Sequence, residues 1–131
     1  MKSSTQTLAL RAPKTQVFNF LSKVENLPKW ATMFCKELKV LDDGRFKVVT
    51  PQGEIFFRME ADRNSGVIDM YGGPDEGQMA YWPARVVERP GAGSLLIFTA
   101  FQYPGTGDHD FAMQCEGLKQ EFVHIATLTE P

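Results

Sequence analysis

Between positions 108 and 128, Phe111, Cys115, Leu118, Phe122 and Ile125 recur at steps of four, three, four and three. That spacing sets them on one stripe and predicts a long C-terminal helix laid on a core. Ala126 widens the stripe, while Glu116, Gln120, His124 and Thr127 fall on the opposite side. Gly107-Asp108 offers the start, because an aspartate at the N-cap accepts from the first free N–H groups. A shorter helical repeat, Val17, Phe18, Phe20 and Leu21, follows Pro13, and Pro suits the first turn of a helix. It is expected to end near positions 23 to 26, and Leu27-Pro28-Lys29-Trp30 opens a second short turn of helix.

Elsewhere the period is two. Positions 3 to 10 read as a first strand. Leu38 and Val40 begin a hairpin that turns at Asp42-Asp43-Gly44 and returns through Phe46, Val48 and Val49. Positions 54 to 61 set Ile55, Phe57, Met59 and Ala61 against Phe56, Arg58 and Glu60. Arg58 and Glu60 then share a face, expected to be the outer one. Positions 67 to 71 form a short strand. Gly72-Gly73-Pro74-Asp75-Glu76-Gly77 carries enough Gly and Pro to read as an irregular loop, a candidate mobile lid. Positions 79 to 88 contain Pro83, which cannot donate to a ladder, so an edge strand or a bulge is expected there. Positions 94 to 103 are the most apolar strand. Hairpin turns imply antiparallel pairing, and strands segregated from the last helix imply an α+β fold.

A chain of 131 residues is one domain, positions 1–131. A 43% hydrophobic fraction and ten Phe indicate a well-buried interior. A formal net charge of −2 argues against a nucleic-acid partner, which requires a basic field. No window approaches the roughly 20 apolar residues of a membrane span, so no membrane insertion is expected. The first seven residues lack the apolar core of a signal peptide. A cytoplasmic protein with Cys35 and Cys115 as free thiols is the expectation. No phosphate- or dinucleotide-binding glycine loop is present, and no cofactor is expected. His109 and His124 would lie about 23 Å apart along one helix, too far to share an ion, so no metal site is expected. Cys115 has no His on its stripe and reads as a core thiol rather than a nucleophile.

Ala12-Pro13 followed by Val17-Phe18-Asn19-Phe20-Leu21, then Glu25-Asn26-Leu27-Pro28-Lys29-Trp30, resembles the START-related superfamily, often called SRPBCC. It includes the birch pollen allergen and the polyketide cyclase/dehydrase-like proteins. Thr50-Pro51-Gln52-Gly53, Gly66-Val67-Ile68-Asp69 and Arg85-Val86-Val87 extend the resemblance over essentially the whole chain. The resemblance implies the helix-grip fold, an α+β arrangement. In it a curved antiparallel sheet of about seven strands wraps the long C-terminal helix, with two short helices after the first strand. It also implies an apolar cavity between sheet and helix for lipids, hormones or polyketides. It carries over no catalytic motif, so function must be argued from the site.

Pockets of that kind are mainly apolar and aromatic. Trp30, Phe34, Phe57, Met59, Phe98, Phe111, Cys115 and Leu118 are the expected lining. Asp69, Tyr81, Arg85 and Gln114 are the candidates to orient a polar end. Asp69 has two placements. Facing inward with Val67 and Tyr71, it is a buried carboxylate that needs Arg58 or Arg85. Facing outward, it meets water or closes a structural pair, and this second placement is favoured. A one-residue slip of register exchanges the two. Three functions follow as expectations. The first is a binder of a small hydrophobic or amphipathic molecule (a lipid, polyketide or aromatic metabolite). The second is a cyclase/dehydrase-like enzyme using Asp69 and Arg85 for acid–base work. The third is a homodimeric interaction module built on the sheet or an edge strand.

Overall fold

Alternation along the strands decides which side of the sheet meets the helices. The computed structural model describes residues 1–130. Strand β1 (Ser3–Leu10) leads into α1 (Lys14–Leu21), a 3-10 turn (Val24–Asn26) and α2 (Leu27–Trp30). Six strands follow: β2 (Glu37–Val40), β3 (Phe46–Thr50), β4 (Gly53–Asp62), β5 (Val67–Asp75), β6 (Gln78–Glu88) and β7 (Ser94–Phe101). Helix α3 (Asp108–Thr129) closes the chain. The strands form one antiparallel sheet in the order β1-β7-β6-β5-β4-β3-β2. The sheet is curved and holds α3, which is the helix-grip arrangement.

The inner face collects Val48, Phe57, Ile68, Met70, Ala84, Val86, Leu96 and Phe98. Helix α3 answers with Leu118, Phe122 and Ile125, and α1 and α2 contribute Val17, Phe18, Leu21, Leu27 and Trp30. Phe98 and Phe122 meet edge to face, 6.3 Å between centroids, across the sheet–helix boundary. Full burial of such side chains is worth about 1.5–3 kcal/mol each, so this seam is the main source of stability.

The other face is dressed with aromatics rather than left polar. Tyr71 and Tyr81 stack at 5.1 Å, Tyr81 and Phe101 at 6.4 Å, and the Arg58 guanidinium caps Tyr71 at 4.2 Å. These rings spend their faces on one another, so the ladder ties β4 to β7 as cross-strand pairs do. Arg58 and Glu60 stand on this outer face as a pair, as their spacing predicts.

Three local expectations are corrected. Strand β6 is interior, not an edge, and no bulge sits at Pro83. Its ladder with β7 runs only from Ala84 to Glu88, so Pro83 lies just beyond it. The neighbouring N–H of Tyr81 donates instead to the hydroxyl of Tyr103 (2.9 Å). The glycine-rich run at 72–77 is not an irregular lid. Residues 72–75 extend β5 through a register shift into a tight hairpin. A Cβ on Gly72 would lie 3.0 Å from Ile55 Cδ1 and 3.1 Å from Trp82, and one on Gly73 only 1.9 Å from Gln78 O. These glycines serve close strand approach, not disorder. Gly107, rather than Asp108, is the N-cap of α3. The Asp108 carboxylate accepts from Gln102 Nε2 (3.0 Å) and Lys2 Nζ (3.3 Å), and its charge still suits the positive helix end.

Gly117 is buried in mid-α3, and an added Cβ would meet Met33 at an ordinary 3.5 Å. Gly117→Ala is therefore expected to stabilise the fold by about 0.5–1 kcal/mol in urea unfolding, through helix propensity alone. Gly73→Ala is expected to cost about 1–3 kcal/mol or more in the same assay, because backbone must move to admit the methyl.

Candidate functional site

The sheet's inner face and α3 enclose a void of about 10 Å³. Strands supply Ile68, Met70, Ala84, Leu96 and Phe98 to its wall, and the helices supply Leu21, Trp30 and Ile125. That volume is roughly one water's worth. The interior is filled by side chains, and the void is lined by apolar residues. The indole Nε1–H of Trp30 is buried without an acceptor. A donor stranded in this way costs about 1–3 kcal/mol.

The expected lining residues divide by position. Trp30 and Phe98 border the void. Phe34 and Phe57 lie beside each other, 6.1 Å between centroids, with Trp82 on the far side of Phe34 at 5.6 Å. Met59 is half-buried against the same core. Phe111 and Leu118 are buried on α3. Cys115 is half-buried, and its carbonyl accepts from Gln6 Nε2 of β1 (2.9 Å). Gln114 is exposed.

The polar candidates are on the other side of the sheet. Ile68 and Met70 face inward on β5, which turns Asp69 outward with Val67 and Tyr71. There Asp69 Oδ1 accepts from the Tyr81 hydroxyl at 2.9 Å. Burial, then the Asp69 hydrogen bond, pushes the Tyr81 phenol up to about 12. Arg85 is exposed and its Nε donates to Ser65 O (2.9 Å). Asp69, Tyr81 and Arg85 therefore share the outer face and cannot touch anything held beneath α3. Two buried neighbours on β5 fix this register.

The ionisable group inside is one that the stripe did not mark. Glu121 on α3 is only 5% exposed. Its Oε2 accepts from the backbone N–H of Met33 and of Phe34, both at 3.1 Å. Burial pushes its carboxyl up to about 7, against the two amides and Lys36, which pull it down. Burial and the nearby Glu121 in turn push the Cys35 thiol up to about 11. The signal was present in the spacing, since 121 is three from Leu118 and four from Ile125. Its acidic character hid it. A buried carboxyl near neutrality is suited to proton exchange or to gripping amides.

No protein-family model matches the sequence, and no curated protein matches it. Solved structures do resemble it. The chain is similar to the protein XoxI from Bacillus cereus, with a TM-score of 0.77, 14% identity, and 98% of this chain and 96% of that one covered. It is similar to the Aha1 dimer from Colwellia psychrerythraea, with a TM-score of 0.70, 15% identity, and 99% and 97% covered. It is also similar to the di-domain ARO/CYC BexL of the BE-7585A biosynthetic pathway, with a TM-score of 0.68 and 14% identity. That match covers 97% of this chain and 46% of BexL. These likenesses establish the helix-grip fold. Among the described residues, no helix is long and apolar enough to cross a membrane, and no three His, Cys, Asp or Glu side chains are grouped to hold a metal.

The Glu121 carboxyl is held near 7 when folded and has an ordinary value of 4.5. A raised folded value means that its contribution to stability is full below 4.5 and is lost as pH rises through 7. Stability by urea unfolding is expected to fall by about 3 kcal/mol between pH 4.5 and 8 on this account. Glu121→Gln is expected to remove most of that slope.

Proposed function

We propose that this helix-grip chain binds a small, mainly apolar molecule between the sheet and α3, in the space that Trp30, Met70 and Phe98 fill. One observation carries the reading: the Trp30 indole N–H is buried, belongs to a residue of the void wall, and lacks an acceptor. An acceptor atom on a guest would recover the energy of that stranded donor. The chemistry that fits is amphipathic, with one acceptor near Trp30 and hydrocarbon elsewhere. A void of about 10 Å³ admits no metabolite as it stands, so binding displaces side chains. Met70 and Met59 are unbranched and pliant enough to move. Apolar burial then drives affinity at roughly 25 cal/mol per Å², before ordering costs. BexL, of the same fold, is an ARO/CYC of a biosynthetic pathway, which supports a guest of metabolite size. Phe34, Phe57, Phe111 and Leu118 would contact the longer guests.

Binding is preferred over a cyclase-like reaction because Asp69 and Arg85, the groups offered for acid–base work, stand on the outer face. A cytoplasmic location fits the two free thiols, Cys35 and Cys115.

A homodimer through β1 is a second reading with its own observation. The two edges of the sheet are β1 and β2. Edge β2 is four residues long and carries Glu37 and Lys39, the usual deterrents to strand addition. Edge β1 runs eight residues, Ser3–Leu10, with no charge and no proline. Aha1 from Colwellia psychrerythraea is a dimer of the same fold. Light scattering at about 100-fold different concentrations, comparing the wild type with Thr5→Lys, tests this. A concentration-dependent dimer lost in the variant is expected, and a monomer throughout excludes it.

The binding reading is tested with fatty acids, sterols and phenolic polyketides, using thermal shift and native mass spectrometry. At least one amphipathic class is expected to raise Tm by several degrees, and Trp30→Phe is expected to weaken it roughly tenfold. Stabilisation by no class, with no retained mass on protein from its own host, overturns the reading.

A further inference from the structure

Residues 31–36 join α2 to β2 and are hydrogen-bonded to α3 through Glu121. Lys36 N–H donates to Val49 O of β3 at 2.8 Å. Phe34 N–H divides itself between Ala31 O and Glu121 Oε2, each at 3.1 Å. Met33 N–H has Glu121 Oε2 as its acceptor, also at 3.1 Å. The Phe34 ring rests on Phe57 and Trp82, while the Met33 side chain lies beside Gly117 and is 45% exposed. Thus one carboxylate oxygen supplies the hydrogen bonds described between this segment and α3. Ala31 and Cys35 are anchored in the core at 2% and 3% exposure, whereas Met33 is exposed and Phe34 half-buried, so the stretch between the two anchors is the part able to leave α3.

We propose that Glu121 is a latch whose carboxyl fastens Met33 and Phe34 onto α3, and that this stretch parts from α3 locally when water takes the place of the two amides. Closed, Glu121 is only 5% exposed, on a helix whose Leu118, Phe122 and Ile125 are buried as well. Two N–H donors on one oxygen favour its charge, and burial opposes it. Opening hydrates the group and removes that burial penalty.

The latch is consequently sensitive to pH. Burial holds the closed-state carboxyl near 7, while a hydrated one returns toward 4.5. Opening releases a proton, so the equilibrium moves toward open as pH rises from 4.5 through 7, and levels above that. Lys36 and Cys35, both on the segment, are the ionisable neighbours that Glu121 feels. The Cys35 thiol, pushed up to about 11, stays protonated throughout this window. The segment begins immediately after Trp30. Its use as the gate for a guest rests on the binding function proposed above. The latch itself does not.

Amide hydrogen exchange of the protein without added ligand, corrected for intrinsic rates between pH 4.5 and 8, tests it. Met33 and Phe34 are expected to be less protected than Phe122 and Ile125 at every pH. Their protection is expected to fall by up to the order of 100-fold over that range, and Glu121→Gln, which keeps a carbonyl acceptor, is expected to abolish the fall. Equal protection of Met33, Phe34, Phe122 and Ile125 would mean that only whole-molecule unfolding frees the segment, and would overturn the latch. So would wild-type protection that ignores pH, or a fall that survives in Glu121→Gln. The wild-type comparison decides by itself if the variant does not fold. Because no guest is present, failure here is separate from failure of the ligand panel.

Discussion

A seven-stranded antiparallel sheet cannot dry its inner face on itself. Here the covering is α3, whose Leu118, Phe122 and Ile125 lie over the inner row of β5, β6 and β7. Everything else follows from keeping that seam dry. Ile68 and Met70 must point in, so Asp69 must point out. Ser94, fully buried at the start of β7, must find a partner, and its hydroxyl donates to Ala12 O at 2.8 Å. Thr129, buried at the other end of α3, turns its hydroxyl back to Ile125 O at 2.7 Å. Polar groups in the seam are satisfied locally, as burial demands.

Two buried groups of the helices are less well served, Trp30 at the end of α2 and Glu121 on α3. Trp30 leaves its indole N–H without an acceptor, and Glu121 brings a carboxyl under cover with only two amides for company. A close-packed core has little reason to keep either, since replacing a buried polar group by an apolar one of similar shape is often neutral or favourable. Trp30 borders the void and Glu121 holds the amides of the segment that follows it, which separates this interior from a plain core. The outer face shows the contrast. Its tyrosines and arginines are numerous, yet each is spent on a neighbour, in the Arg58–Tyr71–Tyr81–Phe101 ladder and the Tyr81–Asp69 bond.

The architecture was legible because it rests on periodicity. The 111-115-118-122-125 stripe and the alternation at 54–61 each mark one face, and both faces lie where the spacing predicts. The Pro83 strand was not legible, because its place in the sheet is set by where the β7 ladder stops and by a distant Tyr103 hydroxyl. Nor was the run at 72–77. Gly can mean a loop or a close approach, and only the partners Ile55, Trp82 and Gln78 distinguish them. The site divides the same way. Trp30 and Phe98 were visible as large apolar residues in patterned segments. Glu121 was not, because an acid on the flank of an apolar stripe ordinarily faces water, and its reason for burial is a pair of backbone amides some 88 positions away.

The Trp30 indole N–H reports directly on the claim that this interior receives a guest. Its proton and nitrogen shifts can be followed by NMR while amphipathic molecules are titrated in. The account predicts a resonance in the unbonded range at the outset that moves downfield, saturably, with a guest bearing an acceptor and not with a pure hydrocarbon. A resonance already hydrogen-bonded in the free protein, or one that no guest displaces, would contradict it.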